Sequence, residues 1–398
     1  MIQATQKIPA GYKQTDIGVI PADWDVKRII DFTDSTAGGT PSTLINEYWG
    51  GDIKWMSSGE LNDKKIIDVE GRITEQGLKN SSTKIIPKYC VLIGLAGQGK
   101  TRGTVAINYV ELCTNQSIAA IYPSRNHDSE YLYFNLDNRY LELRSLSTGG
   151  EGRGGLNLSI IKKIQIAFPR KLEQTAIATV LADTDALIEN LEKLIAKKKA
   201  IKQGAMQQLL TGKKRLPGFS GEWEVKKLGE MLDYEQPTKY LVKEAEYSDG
   251  YRTPVLTAGK TFILGYTSEE KGVFDNLPVI IFDDFTTAKK FVNFPFKAKS
   301  SAMKMLKPRN KNINLRFLFE KMQLIDFKLG DHKRYWISEY QNIELETPKS
   351  EEQTAITTVL SDMDTEIEKL ENKLNKYRQI KTGMMQQLLT GKIRLLTK

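Results

Sequence analysis

Two long stretches of the chain share one alternation of apolar and polar positions. From Glu173 to Leu210, and from Glu352 to Leu389, apolar residues recur at alternating three- and four-residue steps, and Glu and Lys fill most other positions. Neither stretch contains proline, and each is followed by Thr-Gly, where glycine suits the left-handed residue that closes a helix. The pattern predicts two helices of about 38 residues, roughly 57 Å long at ~1.5 Å per residue.

The apolar stripe on each predicted helix is narrow, so each helix needs a partner helix. Because the two stripes match in length and register, we expect the helices to lie side by side, oppositely directed, as an antiparallel coiled coil. The alternative is that each helix packs separately on its own domain. The predicted seam consists of Ile188, Leu191 and Ile195 in the first helix and Ile367, Leu370, Leu374 and Tyr377 in the second.

The two helices belong to a duplicated segment. Residues 169–216 align with residues 348–395 without a gap, and more than half of the paired positions are identical. A shorter echo lies upstream of each copy, in Trp24–Ile29 and Trp223–Leu228. The regions between these repeated parts differ, so variable domains alternate with shared segments. We place the four parts at residues 1–168, 169–216, 217–347 and 348–398.

Both variable domains are expected to be β-rich with a helix or two, which makes the fold class α+β. Short apolar runs at Tyr89–Ile93 and Thr104–Ile107 predict strands around a glycine-rich loop. Ser129 is the predicted cap of a helix that continues to Leu146. Asn312 is expected to open the equivalent helix of the second domain.

Composition excludes several classes of protein. No run of 18 or more apolar residues predicts a membrane span, and the first residues lack the layout of a secretion signal, so we expect a cytoplasmic protein. Two cysteines and two histidines are too few for a disulfide framework or a Cys/His zinc site. A Ser-His-Asp or Cys-His catalytic group would have to use His127 or His332.

The charge balance points to nucleic acid as a partner. Lys and Arg number 58 against 49 Asp and Glu, which gives a net charge of +9 and a pI near 9.1. From Lys289 to Lys311 there are basic residues and no acidic one, with phenylalanines interleaved. Arginine and lysine also occur in two glycine-rich loops of the first domain. The candidate DNA-binding residues are Lys100, Arg102, Arg153, Lys289, Lys290, Lys297, Lys299 and Lys304.

Two motifs suggest an enzyme, which is the alternative interpretation. Gly94–Thr101 fits the phosphate-loop pattern, and Val279–Asp284 resembles a magnesium-binding strand. A phosphate loop must be followed by a helix, but residues 102–107 contain a glycine and β-branched residues, which do not favour one. The duplication instead indicates that both motifs are one strand-loop-strand element in two diverged copies. A self-sufficient nuclease would use Glu269–Lys271 with Asp249. A structural coiled-coil adaptor that never contacts DNA is the third possibility.

The order of the motifs resembles one family over almost the whole chain. The matching segments are Tyr12–Trp24 (Tyr-Lys-x-Thr-x-Ile-Gly-x-Ile-Pro-x-x-Trp), Gly39–Ser42, Tyr48–Trp55, Glu173–Ile177 and Gln207–Gly212 with their second copies, and Thr257–Lys260, Phe282–Phe285 and Lys299–Ala302. Together they resemble the DNA-specificity subunit of type I restriction-modification systems.

The resemblance implies a fold and a set of partners. It implies two target-recognition domains in a pseudo-twofold arrangement, each reading one half of a split double-stranded DNA sequence, and a coiled coil that sets the spacer. It also implies two methyltransferase subunits and separate restriction subunits as partners. S-adenosylmethionine would bind the methyltransferase, ATP and magnesium would bind the restriction subunits, and this chain would have no cofactor or catalytic residue of its own.

Overall fold

The computed structural model describes residues 8–97, 101–146, 155–244, 246–257, 259, 261–330 and 334–395. The chain forms two compact units. Unit 1 consists of Met1–Leu191 together with Lys373–Lys398, and unit 2 consists of Glu192–Asn372. Each unit therefore combines one variable domain with the first part of one long helix and the last part of the other.

The helices of the described residues are α1 Glu75–Lys79, α2 Ser129–Asp137, α3 Tyr140–Ser145, α4 Leu158–Lys163, α5 Lys171–Leu209, α6 Leu228–Met231, α7 Leu315–Gln323, α8 Tyr335–Ser338 and α9 Ser350–Leu388. The strands of unit 1 are β1 Tyr12–Thr15, β2 Gly18–Pro21, β3 Asp25–Arg28, β4 Ser35–Ala37, β5 Trp49–Met56, β6 Lys65–Ile66, β7 Arg72–Ile73, β8 Val91–Gly94, β9 Val105–Asn108, β10 Cys113–Thr114, β11 Ile118–Ile121 and β12 Gln165–Phe168. Those of unit 2 are β13 Glu224–Lys227, β14 Leu232–Glu235, β15 Thr253–Leu256, β16 Ile263–Thr267, β17 Val279–Asp283, β18 Lys289–Val292, β19 Lys297–Ala298, β20 Met303–Pro308 and β21 Glu344–Thr347.

The long helices α5 and α9 have 39 residues each and pair in opposite directions within each unit. In unit 1, Lys381 Nζ lies 2.5 Å from Asp185 Oδ1. In unit 2, Lys198 contacts Glu366 at 2.7 Å and Lys202 contacts Asp364 at 2.5 Å, so residue numbers rise on one helix as they fall on the other. The antiparallel pairing predicted from the stripes is confirmed.

The predicted seam residues are turned away from solvent. Four of them are less than 9% exposed and three are half-buried: Leu191, Ile195, Ile367 and Leu374 in the first group, Ile188, Leu370 and Tyr377 in the second. Lysines flank the seam and form ion pairs with aspartates and glutamates of the other helix. This division is the one that a narrow apolar stripe between two helices requires.

The variable part of unit 1 is built on two sheets. A five-stranded sheet has the order β4-β11-β8-β9-β6, and a three-stranded sheet has the order β10-β5-β7. One face of the large sheet, with Val91 and Ile93, packs on α2 and on the ends of α5 and α9. The other face, with Leu92 and Ala106, shares a second core with Met56 of β5 and with Leu61. Burial on both faces explains why β8 is a continuous apolar run.

The variable part of unit 2 repeats this plan with a different sequence. Its large sheet has the order β14-β20-β17-β18, and its small sheet has the order β16-β15-β19. In both small sheets the central strand pairs with one parallel and one antiparallel neighbour. In both large sheets the four corresponding strands are antiparallel. Strands β8 and β17 hold equivalent places in the two sheets, as predicted for one strand-loop-strand element in two copies.

The helix caps differ slightly from the predicted ones. The cap of α2 is Asp128 and not Ser129, because the Asp128 carboxylate accepts hydrogen bonds from the backbone N–H groups of Glu130 and Tyr131. The helix predicted to continue to Leu146 is interrupted after Asp137 and resumes as α3. In unit 2, Asn314 rather than Asn312 caps α7.

A glutamine of the shared segment fixes the start of the domain helix in each unit. Gln174 Oε1 accepts a hydrogen bond from the Asp128 backbone N–H at 2.9 Å, and Gln174 Nε2 donates to Pro169 O. In unit 2, Gln353 Oε1 accepts from the Asn314 N–H at 2.9 Å and Nε2 donates to Pro348 O. The same side chain therefore ties α2 to α5 in one unit and α7 to α9 in the other.

An arginine that follows the end of one helix closes each unit. In unit 1, Arg394 makes two hydrogen bonds to Glu173, at 2.7 and 2.9 Å, and two to Asp23, both at 2.8 Å. Its guanidinium also lies over the Trp24 ring. In unit 2, Arg215 makes two hydrogen bonds to Glu352 and lies over Trp223. We call these two groups the arginine clamps; each joins the segment after one long helix to the start of the other and to the tryptophan just before strand β3 or β13.

Candidate nucleic-acid interface

Three connections of unit 1 meet at one edge of its large sheet. They are the β4–β5 loop, the β8–β9 loop and the β10–β11 turn. The Leu95 N–H donates to Ser117 O at 2.8 Å, and the Gly39 N–H donates to Thr114 O at 2.8 Å. A Cβ atom on Gly38 would lie 2.0 Å from Thr114 O, so only glycine allows this close approach. We call this edge the loop edge of unit 1.

The two glycine-rich loops that carry the basic candidates of the first domain start from this edge. The Leu156 N–H donates to Leu95 O at 2.9 Å, which joins the bases of the two loops. Gly103 packs on the backbone of Arg144, where an added Cβ would lie 3.0 Å from the Arg144 nitrogen. Arg102 is half-buried on the first loop. Lys100 and Arg153 lie outside the described residues.

The phosphate-loop pattern does not form a phosphate loop. Strand β8 continues through the loop into the antiparallel strand β9, with Val91 opposite Ile107 and Ile93 opposite Val105. The segment after Thr101 is a turn and a strand, where a phosphate site needs a helix amino terminus. The rejection of this motif from its β-branched continuation is confirmed.

Two basic candidates of unit 2 lie exposed around one hairpin. The Lys299 N–H donates to Leu256 O at 2.9 Å, which places Lys299 beside the β15–β16 turn, and its ammonium lies 5.6 Å from the Tyr247 ring centroid. Lys290, on β18, lies over Phe262 at the other side of the same turn. Both side chains are exposed, so their charges are accessible to a phosphate backbone.

Three other basic candidates of unit 2 are engaged inside the domain. Lys304 is fully buried with its ammonium 3.3 Å from Asp284 Oδ2. Lys297 is 2% exposed, contacts Glu269 at 2.6 Å and donates to Lys271 O. The alternation of lysine with apolar residues predicted that these lysines face solvent. Both faces of the strands are covered instead, so the lysines lie in the interior.

Lys289 is the third internal candidate. It donates to Met322 O and to the Tyr340 hydroxyl, both at 2.8 Å, and burial lowers the pKa of Lys289 to about 8. Its ammonium thereby satisfies a carbonyl at the end of α7. The structure places this lysine where it supports the domain.

Two of the residues suggested for metal or nucleophilic chemistry, Glu269 and His127, have structural roles, and His332 lies outside the described residues. Burial alone raises the pKa of Glu269, but the Lys297 ammonium and two backbone N–H donors outweigh it and hold the pKa at about 2. His127 is buried against Phe32, with its Nδ1 2.8 Å from Ser124 Oγ. Burial lowers the pKa of His127 to about 4. Its second ring nitrogen is enclosed, so the imidazole has no access to a substrate.

The loop edge of unit 1 also contains a polar pair that sequence reasoning missed. Thr40 Oγ1 donates to Gln116 Oε1 at 2.5 Å. The β4–β5 loop is held by two indoles, since Trp55 Nε1 donates to Gly39 O and Trp49 Nε1 donates to Ser42 O. The resemblance had singled out Gly39–Ser42 and Tyr48–Trp55 without a role. Their contacts show that they shape this loop.

Comparison with known proteins gives the family of this chain. A family model described as the type I restriction modification DNA specificity domain matches residues 21–202 and again residues 220–377. The chain belongs to this family. The two matches follow the two copies of the repeat, and the resemblance inferred from the motifs is confirmed.

Individual specificity subunits are similar over different lengths. The EcoR124I/EcoR124II specificity subunit of Escherichia coli is 51% identical over 148 residues, which is 36% of this chain and 36% of that protein. The MjaIX specificity subunit of Methanocaldococcus jannaschii is 33% identical over 67% of this chain and 64% of its own length. The MjaVIII specificity subunit of the same organism is 24% identical over 94% of both.

Solved structures support the fold. The S subunit of a type I restriction-modification system from M. genitalium has a TM-score of 0.62 at 16% identity, over 96% of this chain and 98% of that one. A chain from a structure of a type I restriction-modification complex gives a TM-score of 0.54 at 14% identity, over 94% and 99%. The predicted class, two mixed β-rich domains with two long antiparallel helices, is confirmed.

Family membership separates the specificity subunit from the enzyme alternatives. A type I specificity chain is a DNA-recognition component and not an ATPase or a nuclease, which agrees with the antiparallel pairing of β8 with β9 and with the internal ion pair of Glu269. Within the described part of the chain, no helix is both long and apolar enough to cross a membrane.

Proposed function

We propose that this chain is the sequence-specificity subunit of a type I restriction-modification complex and that it binds a bipartite double-stranded DNA target. The variable domain of unit 1 would read one half of the target, and that of unit 2 would read the other. The observation that carries the proposal is the duplication: one strand plan occurs twice, with unlike side chains in the connecting loops. One scaffold with two sets of loops suits a target made of two unlike halves.

In this proposal affinity and specificity come from different side chains. Exposed ammonium groups such as those of Lys290 and Lys299 would contact phosphates and fix the register of the protein on the duplex. Loop side chains would meet base edges and supply the discrimination. Candidates in the glycine-rich loops of unit 1, namely Lys100, Arg102 and Arg153, remain predictions for the same role.

The long helices would set the distance between the two half-sites. A helix of 39 residues extends about 58 Å at ~1.5 Å per residue, which equals roughly 17 base pairs at ~3.4 Å each. Ion pairs between the helices, such as Lys381–Asp185 in unit 1 and Lys202–Asp364 in unit 2, would help to keep the pair rigid. A stiff pair of this length would hold the half-sites on different turns of the duplex, with an unread spacer between them.

The partners follow from the same proposal. Two methyltransferase subunits would bind S-adenosylmethionine, and separate restriction subunits would bind ATP and magnesium, all in the cytoplasm. This chain would supply sequence recognition and a platform for assembly. Turnover of ATP, or methylation of DNA, by this chain alone would contradict that division of labour.

Exchange of one variable domain tests the proposal. Residues 25–168 would be replaced by the corresponding domain of another specificity subunit, and the complex with its methyltransferase would be used to map methylated sites in a host genome. We expect one half of the target to change while the other half and the spacer stay the same. A change in both halves, or methylation without sequence preference, would refute the modular assignment.

A further inference from the structure

Gln116 lies at the tip of the β10–β11 turn, at the loop edge of unit 1. Its side chain is exposed, whereas Cys113 and Ile118 on either side of the turn are fully buried. The turn itself is fixed, because Asn115 Oδ1 accepts a hydrogen bond from the Ser117 N–H and the Asn115 N–H donates to Met56 O. An exposed amide therefore projects from a rigid base.

The orientation of this amide is also fixed. Thr40 Oγ1 donates to Gln116 Oε1 at 2.5 Å. The backbone before Thr40 is held in place, because the Gly39 N–H donates to Thr114 O and the Gly39 carbonyl accepts from Trp55 Nε1. A carbonyl oxygen has two lone pairs, so Oε1 keeps one for a ligand while Nε2 keeps its two N–H donors. The amide thus presents one acceptor and one donor side by side at a fixed angle.

This pattern matches one base edge in the major groove. Adenine presents N6–H as a donor beside N7 as an acceptor, and a glutamine amide pairs with both at once. Guanine presents two acceptors at the same positions, which suit a doubly donating group. A glutamine whose carbonyl is oriented by a neighbouring hydroxyl is therefore suited to adenine.

The equivalent turn of unit 2 carries other side chains on the same support. The Lys299 N–H donates to Leu256 O at 2.9 Å, as the Asn115 N–H donates to Met56 O at 3.0 Å, and each acceptor ends the central strand of a small sheet. Where unit 1 has Asn115–Ser117, unit 2 has Lys299–Ala302 with two serines. The scaffold is shared, and the group presented to a ligand differs.

We propose that Gln116 is a specificity-determining residue that recognises an adenine in the half-site read by unit 1, and that Thr40 is the positioning residue that orients its amide. The assignment rests on the proposed DNA-specificity function and names one contact within it. Thr40 need not touch DNA. It acts by restricting the Gln116 amide to the orientation in which both polar atoms meet the base.

The test uses the full-length chain in complex with its methyltransferase and a pool of randomised duplex DNA, from which bound sequences are selected. The variants are Q116L, which removes the amide, T40V, which keeps the shape of residue 40 and removes its hydroxyl, and T40S, which restores the hydroxyl. Q14L is the control, since Gln14 is an exposed glutamine on β1 that bonds only to Thr15 O among described residues.

We expect the unaltered complex to require an A·T pair at one position, and Q116L to weaken that preference about tenfold or more while every other position keeps its own. T40V should weaken the same position less, T40S should restore it, and Q14L should change nothing. Unchanged preference in Q116L, relaxation at a position that is not A·T, or loss of a whole half-site at once would overturn the inference while leaving the proposed function in place. Absence of any sequence preference in the unaltered complex would instead contradict the proposed function.

Discussion

Replacement of Arg394 by methionine tests whether the arginine clamps stabilise each unit separately. The side chain of Arg394 is 21% exposed and that of Glu173 is 5% exposed. In the R394M variant the Glu173 carboxylate would lose both hydrogen bonds from the guanidinium and keep the one from the Trp24 indole N–H, at 3.1 Å. Asp23 would lose both of its hydrogen bonds to the guanidinium, which are the first cause of its lowered pKa.

The magnitude follows from the burial of the carboxylate. Removing one partner of a buried ion pair costs about 3–5 kcal/mol, because the remaining charge stays desolvated without compensation. Since Arg394 keeps partial contact with water, we expect the lower end, about 3 kcal/mol, for the clamp of unit 1. The Asp23 contact is nearer the surface and adds less than about 1 kcal/mol.

Hydrogen exchange measured by mass spectrometry locates the effect. R394M should speed exchange in peptides from β3, β12 and the start of α5, which surround the clamp of unit 1. The matched variant R215M should do the same in β13, β21 and the start of α9, which surround the clamp of unit 2. K392M, at an exposed lysine two residues before Arg394, is the control and should leave both patterns unchanged.

Two results would refute this reasoning. Equal loss of protection in both units after R394M would mean that the clamp is not local to unit 1. A loss of less than about 1 kcal/mol would mean that Glu173 behaves as a solvated surface carboxylate. The double variant R394M/E173Q separates these cases, because neutralising the buried carboxylate should recover part of the lost stability.

Three further outcomes are expected. Because the pKa of His127 is lowered to about 4, the folded state binds this proton less readily than the unfolded state. The free energy of unfolding should therefore decrease as the pH falls from about 6.5 to about 4. In H127N, thermal unfolding should show a smaller decrease over the same pH range. K290Q/K299Q should weaken DNA binding for all sequences and reduce by about 1 to 2 the slope of log binding constant against log salt concentration; an unchanged slope would exclude phosphate contacts by these lysines. K304M should instead lower the stability of unit 2. Deleting one heptad from both α5 and α9 should shorten the unread spacer or abolish binding, and an unchanged spacer in selected DNA would contradict the proposal that the helices set the distance between half-sites.

The long helices were predictable because the information that specifies them is local. A stripe repeated over many turns, an interruption-free segment and a closing glycine are all visible within one window of sequence. The caps of the short helices α2 and α7 were predicted one or two residues away from the observed ones; for α2, Asp128 and Ser129 are adjacent and both suitable as cap residues. The choice depends on Gln174, whose amide binds the Asp128 N–H from 46 residues away.

The candidate site was less predictable, because charge alone does not reveal burial. Met303-Lys304-Met305 has the alternation expected of a strand with one solvent-exposed face. In the structure, Met303 and Met305 pack in one core and Leu306 packs in the core on the other side of the sheet. Lys304 therefore lies in the interior with Asp284 as its partner. The pair Thr40 and Gln116 gave no signal for a different reason: its members are 76 residues apart and meet only when the β4–β5 loop folds onto the β10–β11 turn.

The positions of the identical residues in the two copies suggest how one scaffold accommodates different loops. Glu173 accepts two hydrogen bonds from Arg394 in unit 1, and Glu352 accepts two from Arg215 in unit 2. These contacts tie the start of each long helix to the segment that follows the other, and Gln174 and Gln353 tie the same starts to the domain helices. The loop edge is built instead from side chains that the other copy lacks, such as Thr40 and Gln116. Side chains at the loop edge can therefore change without disturbing the clamps, and this is why we expect an exchanged domain to fold on the same pair of helices.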